Sequence, residues 1–370
     1  MGAWVIEGLP KRFERIFQSM DEEVDAVLIA NRDRIDPNFF YLTGYTSGLF
    51  ERSYAVLHRD LGVEVLTSPL EADIAKRGPH RVLVQRGYGA AELKRSLHEL
   101  LGDVEKVGVN FRSITHSDYV ALEKMLAHKK LVDASEAFAK ARLIKDADEV
   151  EALSTAARIT SQAVDRVPDL VKEGMTEKEL QAEIEYLFTK KGADGLAFSS
   201  IVAFGENSAL PHYFSGERRL RKGDAVLTDV GAKYKLYCAD LTRTFFFGRV
   251  SAEQEEMYNT VLEAQQAALK LVRDGAQAKR VHLAAQSLID STKFKGKFIH
   301  GLGHSLGIEV HDGEGMGRRS RHRLRENMVV TVEPGVYVPG LGGVRIEDDV
   351  VVTRNSYGCL TTSKKELVVI

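Results

Sequence analysis

Cysteine is nearly absent from this 370-residue chain. Cys238 and Cys359 cannot build a disulfide framework, which excludes the small stapled folds of secreted proteins. No stretch approaches the ~18 apolar residues of a membrane-spanning helix. The N-terminal residues mix Trp4, Val5 and Ile6 with Glu7, Lys11, Arg12 and Glu14, so Met1 to Gln18 holds no signal-peptide core. Gly2 follows Met1, but Ile6 spoils a myristoylation pattern. An excess of one charge is missing too: 51 Lys and Arg against 53 Asp and Glu leave a formal charge of -2. A nucleic-acid footprint would therefore need local clustering. The one dense basic run, Arg318-Arg319-Ser320-Arg321-His322-Arg323, reads as a solvated loop. Gly44, Gly48 and Gly62 are isolated turn glycines and form no phosphate-cradling loop. These absences lead us to expect a cytoplasmic protein with no membrane or nucleic-acid partner.

What is present describes a folded chain of two domains. Hydrophobic residues make up 44% and charged residues 28%, ample for a buried core, and 370 residues exceed one ordinary core. In the first part, short apolar runs at Val24 to Ala30, Tyr54 to Leu57, Gly62 to Leu66 and Lys106 to Val109 predict strands. Helical spacing at Tyr88 to Leu101 and His116 to Leu126 alternates with them, which predicts an α/β domain. The pattern changes around Leu131 to Lys145, so the boundary is set between residues 1–140 and 141–370. A helical pattern then runs from Asp146 to Leu170. Thr176 with Glu179, and Ser251 with Gln254, are capping boxes that start two further helices. Runs rich in Val, Thr, Phe and Tyr at Ala225 to Gly248 and Met328 to Thr353 predict hairpins, and the repeated order of helix, helix, hairpin hints at a duplication.

Both hairpins carry acids where strands ordinarily avoid them. A reversal around Tyr234 and Lys235 would set Asp229 opposite Asp240, and one near Gly340 would set Glu333 opposite Glu347. Directly opposed Cβ atoms lie roughly 5 Å apart, and like charges there are unfavourable. Singly, each acid reads as a solvent-facing strand residue. Together they need more than a shared proton, and two divalent ions ~3.5–4 Å apart would satisfy them. The segment from His300 to Asp312 adds His300, His304 and His311 among Gly301, Gly303 and Gly307. That glycine density argues against a helix and hence against a zincin motif. Spacing alone does not choose which imidazole joins the carboxylates. One imidazole with four carboxylates suits Mn, Co, Fe(II) or Zn. His212, in a loop before the first hairpin, reads by itself as a surface histidine, and Cys238 as a buried strand residue.

These blocks carry a resemblance. The segment His300 to Asp312, with LTDVGAKY, CADLTRTF, VEPGVY and VRIEDDV in order, resembles the pita-bread metallopeptidases from about Asp146 to the C-terminus. That family includes Xaa-Pro dipeptidase (prolidase), aminopeptidase P and, more distantly, methionine aminopeptidase. The first ~140 residues, including Tyr41-Leu42-Thr43-Gly44-Tyr45, resemble the creatinase/prolidase N-terminal domain. The resemblance implies an α/β N-terminal domain followed by an α+β pita-bread catalytic domain.

It also implies a division of labour. Asp229 would chelate one metal ion, Asp240 and Glu347 would bridge two, and His304 and Glu333 would complete the ligands of the second ion. Mn or Co is expected, with Zn or Fe as alternatives. Glu333 would be the general base and then acid, with His212 and His311 contacting the substrate and the developing oxyanion. His300 and Tyr337 would line the substrate pocket and Arg345 would orient the carboxylates. The expected substrates are Xaa-Pro dipeptides, ahead of the longer peptides of aminopeptidase P, and a homodimer is expected. Creatinase-type, ectoine-derivative hydrolase and non-catalytic binding relatives share the fold; the full ligand set argues against the first and last.

Overall fold

The apolar run read at Val24 to Ala30 folds as β1 (Ala26–Asn31) with every residue buried, as a central strand covered on both faces requires. Around it, the computed structural model describes residues 8–32, 35–87 and 89–370. The signal-peptide and myristoylation readings at Met1 to Glu7, and the start of the helix expected at Tyr88, lie outside the described residues. Contacts divide the chain into Met1–Arg142 and Leu143–Ile370.

In the first unit β1 is joined by β2 (Ser53–His58), β3 (Val63–Thr67), β4 (Arg81–Val84), β5 (Lys106–Val109) and β6 (Lys130–Asp133), in the order β4-β3-β2-β1-β5-β6. The β1–β2 and β2–β3 pairs are antiparallel and the rest parallel, which makes the sheet mixed. Helices α1 (Leu9–Gln18), α2 (Pro37–Thr43), α3 (Ala72–Ala75), α4 (Ala90–Leu101) and α5 (His116–Met125) accompany it. Leu97, Leu100 and Leu122 from α4 and α5 pack on Leu28, Val56 and Val107 of the sheet. The Tyr41 to Tyr45 stretch closes α2, because Gly44 adopts φ 69° as a left-handed cap that a side chain would oppose. Tyr41 is buried and donates to the Ala141 carbonyl at 3.0 Å.

After α6 (Ser135–Leu143), the helical pattern of Asp146 to Leu170 is two helices, not one: α7 (Ala147–Val164) and α8 (Val167–Leu170). Pro168 explains the break. It has no N–H for the Val164 carbonyl, and its ring would crowd that same carbonyl four residues back. The capping boxes at Thr176/Glu179 and Ser251/Gln254 open α9 (Glu177–Lys190) and α10 (Ala252–Leu269), and α11 (Ala278–Asp290) follows.

Between α9 and α10 run β7 (Gly195–Leu196), β8 (Ile201–Phe204), β9 (Ala225–Val230), β10 (Ala232–Tyr234), β11 (Tyr237–Cys238) and β12 (Leu241–Phe246). After α11 come β13 (Gly303–His304), β14 (Gly315–Met316), β15 (Val329–Val332), β16 (Gly335–Val338), β17 (Gly342–Arg345), β18 (Asp348–Val352) and β19 (Tyr357–Cys359). Helices before hairpins thus occur twice. Ile159, Leu180 and Ile184 pack on Val202, Val226 and Leu241 in the first set. Met257, Val261 and Val281 pack with Val330, Val344 and Val350 in the second. The basic residues Arg318, Arg319, Arg321 and Arg323 are exposed, in keeping with a solvated loop. Among the described residues no helix is long and apolar enough to cross a membrane.

One buried ion pair fastens the strand that follows the last acid of the second hairpin. Arg243, 1% exposed, donates to Asp348 Oδ1 at 2.7 Å and to the carbonyls of Thr242, Glu347, Ser363 and Lys364. Burial alone would raise the Asp348 carboxyl, but Arg243 and Lys365 hold it below its ordinary value. Removing one partner strands the other, at a typical cost of ~3–5 kcal/mol. Arg243→Met is therefore expected to lower the thermal and urea midpoints of the protein clearly. An unchanged midpoint would show that the pair does not hold β18.

Candidate metal centre

The first hairpin turns one residue later than its sequence suggests. Lys235 (φ 47°) and Leu236 (φ 74°) form a two-residue turn with both φ positive, the geometry that matches the right-handed twist of paired strands. Tyr234 pairs with Tyr237, and the same register sets Asp229 opposite Thr242. The expected face-to-face pairing of Asp229 with Asp240 is thus corrected. Moving the turn by one residue moves the partner by two, and alternation keeps Asp240 on the same face as Thr242. The two acids meet diagonally. At Gly231 a Cβ would fall 2.0 Å from the Ala239 carbonyl, so only glycine permits this crossing.

The second hairpin reverses around Gly340 (φ 83°). Its flanking ladders, Val332 with Asp348 and Gly335 with Arg345, share one register that sets Glu333 opposite Glu347. His304 arrives on β13, which pairs with β14 and forms no helix. Gly303 allows the close approach: a Cβ there would lie 2.0 Å from the Thr331 carbonyl. The His304 amide then donates to Thr331 Oγ1 at 3.1 Å, and the Glu333 amide to the Leu302 carbonyl at 2.8 Å.

Donor atoms converge as a result. Asp240, His304 and Glu347 each offer one ligand atom, all within 4.8 Å of one another. His304 Nε2 lies 3.5 Å from Asp240 Oδ2 and 3.6 Å from Glu333 Oε1. Its Nδ1 faces the Ser305 carbonyl at 3.3 Å. A carbonyl only accepts, so Nδ1 carries the proton and Nε2 turns its lone pair toward the carboxylates. Burial pushes the His304 imidazole down to about 4, which keeps it neutral.

The carboxyls respond in the opposite direction. Burial, and then the neighbouring acids, raise Asp240 and Glu347 well above the ordinary carboxyl range. Burial pushes Glu333 up to about 8 against the pull of Arg345. Asp229 Oδ1 and Asp240 Oδ1 are buried with no hydrogen-bond partner. A neutral imidazole lone pair among carboxylate oxygens, two of them orphaned, is what a cation site offers and what a proton alone leaves unsatisfied. The donor set fits divalent metal.

Polar side chains behind the acids fix their orientation. Arg345, 3% exposed, pairs with Asp229 Oδ2 and donates to Thr242 Oγ1 at 3.0 Å and to the Tyr337 hydroxyl at 2.8 Å. Thr242 in turn donates to Glu347 Oε2 at 2.6 Å. Asp349 is fully buried, and its Oδ2 accepts from the Asp240 amide at 3.0 Å.

A cavity of about 450 Å³ opens over the acids. Of the residues expected from sequence, Asp229, Asp240, Glu333, Glu347, Arg345, His212, His300, His304 and His311 all border it. The His304 and His311 rings lie 4.1 Å apart. Tyr337 differs from expectation. It is buried behind the wall, and its hydroxyl reaches the cavity only through His300 Nε2, at 2.9 Å, and Arg345. Gly301 O accepts from His300 Nδ1 at 2.7 Å, so Nε2 takes the Tyr337 proton. Burial, then Arg345, push His300 down to about 4. Cys238 is buried, with Sγ 3.3 Å from the Ile308 carbonyl, and burial pushes its thiol up to about 12.

Sequence reasoning missed Thr242, which alternation from Asp240 could have placed on the acid face. It also missed Phe198 and Ile201 of the cavity wall, whose apolar character carries no local signal.

These shifts set a pH dependence. Folded, metal-free protein keeps a proton on Glu333 that the unfolded chain releases above 4.5. Stability contributed by this group is therefore complete below 4.5 and lost as pH rises toward about 8. Chelator-treated protein should show a Tm that falls over that window, by on the order of a few kcal/mol in stability, and added divalent ion should flatten the slope. A flat profile without metal would remove the case for a strained carboxylate cluster.

Comparison with known proteins agrees in each segment. Residues 151–354 match metallopeptidase family M24, and residues 12–144 match the creatinase/prolidase N-terminal domain. The chain is 33% identical to an Xaa-Pro dipeptidase of Pyrococcus furiosus over 97% of its own length and 100% of that protein. It is similar in structure to an Xaa-Pro dipeptidase from Bacillus anthracis, with TM-score 0.89, 32% identity, and 97% and 99% of the two chains covered. An X-Pro aminopeptidase from Thermotoga maritima MSB8 is as similar, with TM-score 0.90, 32% identity, and 97% and 100% covered.

Proposed function

This chain belongs to metallopeptidase family M24, and we propose that it cleaves Xaa-Pro dipeptides with two divalent metal ions held by Asp229, Asp240, His304, Glu333 and Glu347. The observation that carries the reading is the convergence of a neutral His304 Nε2 with Asp240 and Glu333 beside buried carboxylate oxygens that lack partners. Asp229 would hold one ion, Asp240 and Glu347 would bridge, and His304 with Glu333 would hold the other. Mn or Co is the expected metal. When bound, the ions acidify water at the cluster and polarise the scissile carbonyl.

The remaining steps fall to this chain's own side chains. Glu333, with Oε1 3.6 Å from His304 Nε2 at the border of the cavity, is placed to take a proton at the cluster and give it back. It accepts the proton of the attacking water and returns it to the proline nitrogen as the bond breaks. His212 and His311, exposed at the cavity wall, donate to the substrate carbonyl oxygen as it gains negative charge. Arg345 and Thr242 keep the carboxylates aimed inward, while Phe198 and Ile201 offer an apolar surface to the proline ring.

A second reading, aminopeptidase action on longer Xaa-Pro peptides, is supported by the equal similarity to the Thermotoga X-Pro aminopeptidase. Chain length separates the two. The dipeptidase reading expects Xaa-Pro dipeptides to be cleaved much faster than Xaa-Pro-containing longer peptides in Mn or Co, and the reverse order would select the alternative. Cleavage of neither would sink both.

Two further results are expected. Metal analysis of purified protein should find close to two ions per chain. Glu333→Ala should abolish hydrolysis and leave the fold intact by circular dichroism, and retained hydrolysis would refute the proton-transfer role. The homodimer expected from the family is checked by light scattering on the same sample.

A further inference from the structure

Far from the acids in sequence, the Glu177 carboxylate is wholly buried, and among the described residues no cation pairs with it. Its charge is met by four neutral donors, all from one loop. Oε1 accepts from the Phe204 amide at 2.8 Å and Asn207 Nδ2 at 2.9 Å. Oε2 accepts from the Tyr213 hydroxyl at 2.8 Å and the Gly216 amide at 2.9 Å. Asn207 and Tyr213 also bond each other at 2.9 Å. Glu177 is the first residue of α9, where the exposed amides of a helix start favour a negative charge.

The loop held this way runs from the end of β8 to Gly216 and contains Pro211 and His212. Its tip stands in solvent: Leu210 is 54% and Phe214 82% exposed. Packing alone would leave such a tip free. On its other side the loop is held at Ser208, whose hydroxyl accepts from the Gly343 amide on β17, two residues before Arg345. A buried charge without a counter-ion is a costly way to fasten a loop, and an apolar contact would fasten it more cheaply. What a carboxylate adds is direction, because four donors must point at two oxygens.

We propose that Glu177 is a positioning residue: it fixes the loop that carries His212, so that the imidazole is already aimed at the substrate carbonyl before substrate arrives. The proposal rests on the oxyanion role given to His212 above. Pre-set geometry of this kind matters because a displacement of about 1 Å can cost ~100-fold in rate.

The test uses the full-length metal-loaded protein and the variants Glu177→Gln, His212→Ala and the double variant. Hydrogen exchange at the Phe204 and Gly216 amides reads the clamp without reference to turnover, and Glu177→Gln should speed it several-fold. Metal content should stay at the parent value. On an Xaa-Pro dipeptide, Glu177→Gln should lower kcat/KM by about 10- to 100-fold, and His212→Ala should then cost only a few-fold more in that background, less than in the parent. Tyr213→Phe, which deletes one donor, supplies the same comparison if Glu177→Gln folds poorly. Unchanged exchange, lost metal, or effects that multiply in the double variant would overturn the proposal. A parent protein that cleaves no Xaa-Pro peptide would instead overturn the dipeptidase reading, leaving the exchange result to judge the clamp.

Discussion

Crowding of like charge governs the second unit. Asp229, Asp240, Glu333 and Glu347 border one cavity, and among its described lining residues Arg345 is the only Lys or Arg. Unmodified β pairing would not tolerate this; Asp229 stays within the β9 ladder, and the ladder gives way at the other three acids. Asp240 falls between β11 and β12, Glu333 between β15 and β16, and Glu347 between β17 and β18. Each break lets the chain leave one sheet and enter another, so the hairpins bend around the acids. The repulsion is thus part of the architecture.

Holding such breaks open requires rigid support on every side. Arg243 and Asp348 lock the strand behind Glu347 to the C-terminal segment, and Arg345 joins Asp229 to Thr242 and Tyr337. Gly231 and Gly303 admit backbone contacts that any side chain would block. The elements that make the site possible are therefore mostly ones that never touch the cavity. This is the usual cost of preorganised polar chemistry in a low-dielectric interior, where a half-satisfied network is worse than an apolar one.

How far the sequence foretells this depends on the range of the interaction. Capping boxes at Thr176 and Ser251 are local, and both form. Glu333 and Glu347 stand opposite each other because the turn near Gly340 has its own glycine signature. The Asp229 hairpin turns one residue later than its sequence suggests, since Lys235 and Leu236 adopt positive φ without a glycine to announce it. The apolar spacing from Asp146 to Leu170 runs on past Pro168, whose ring ends the first helix all the same. Spacing could not separate His304 from His300 and His311; the distinction lies in which strand presses against Thr331, a contact between segments distant in sequence. Glu177 was hidden for a similar reason. It reads as one more acid in a helix's first turn, and its partners lie as much as 39 residues away.

The chain of donors from Arg345 through Tyr337 to His300 runs one way. Arg345 can only donate a hydrogen bond, the Tyr337 oxygen accepts it and donates its own O–H to His300 Nε2, and His300 Nδ1 donates to the Gly301 carbonyl. Both ring nitrogens are then committed to the protein. His300 therefore turns carbon edges and a ring face, and neither a free donor nor a free lone pair, toward the cavity it borders.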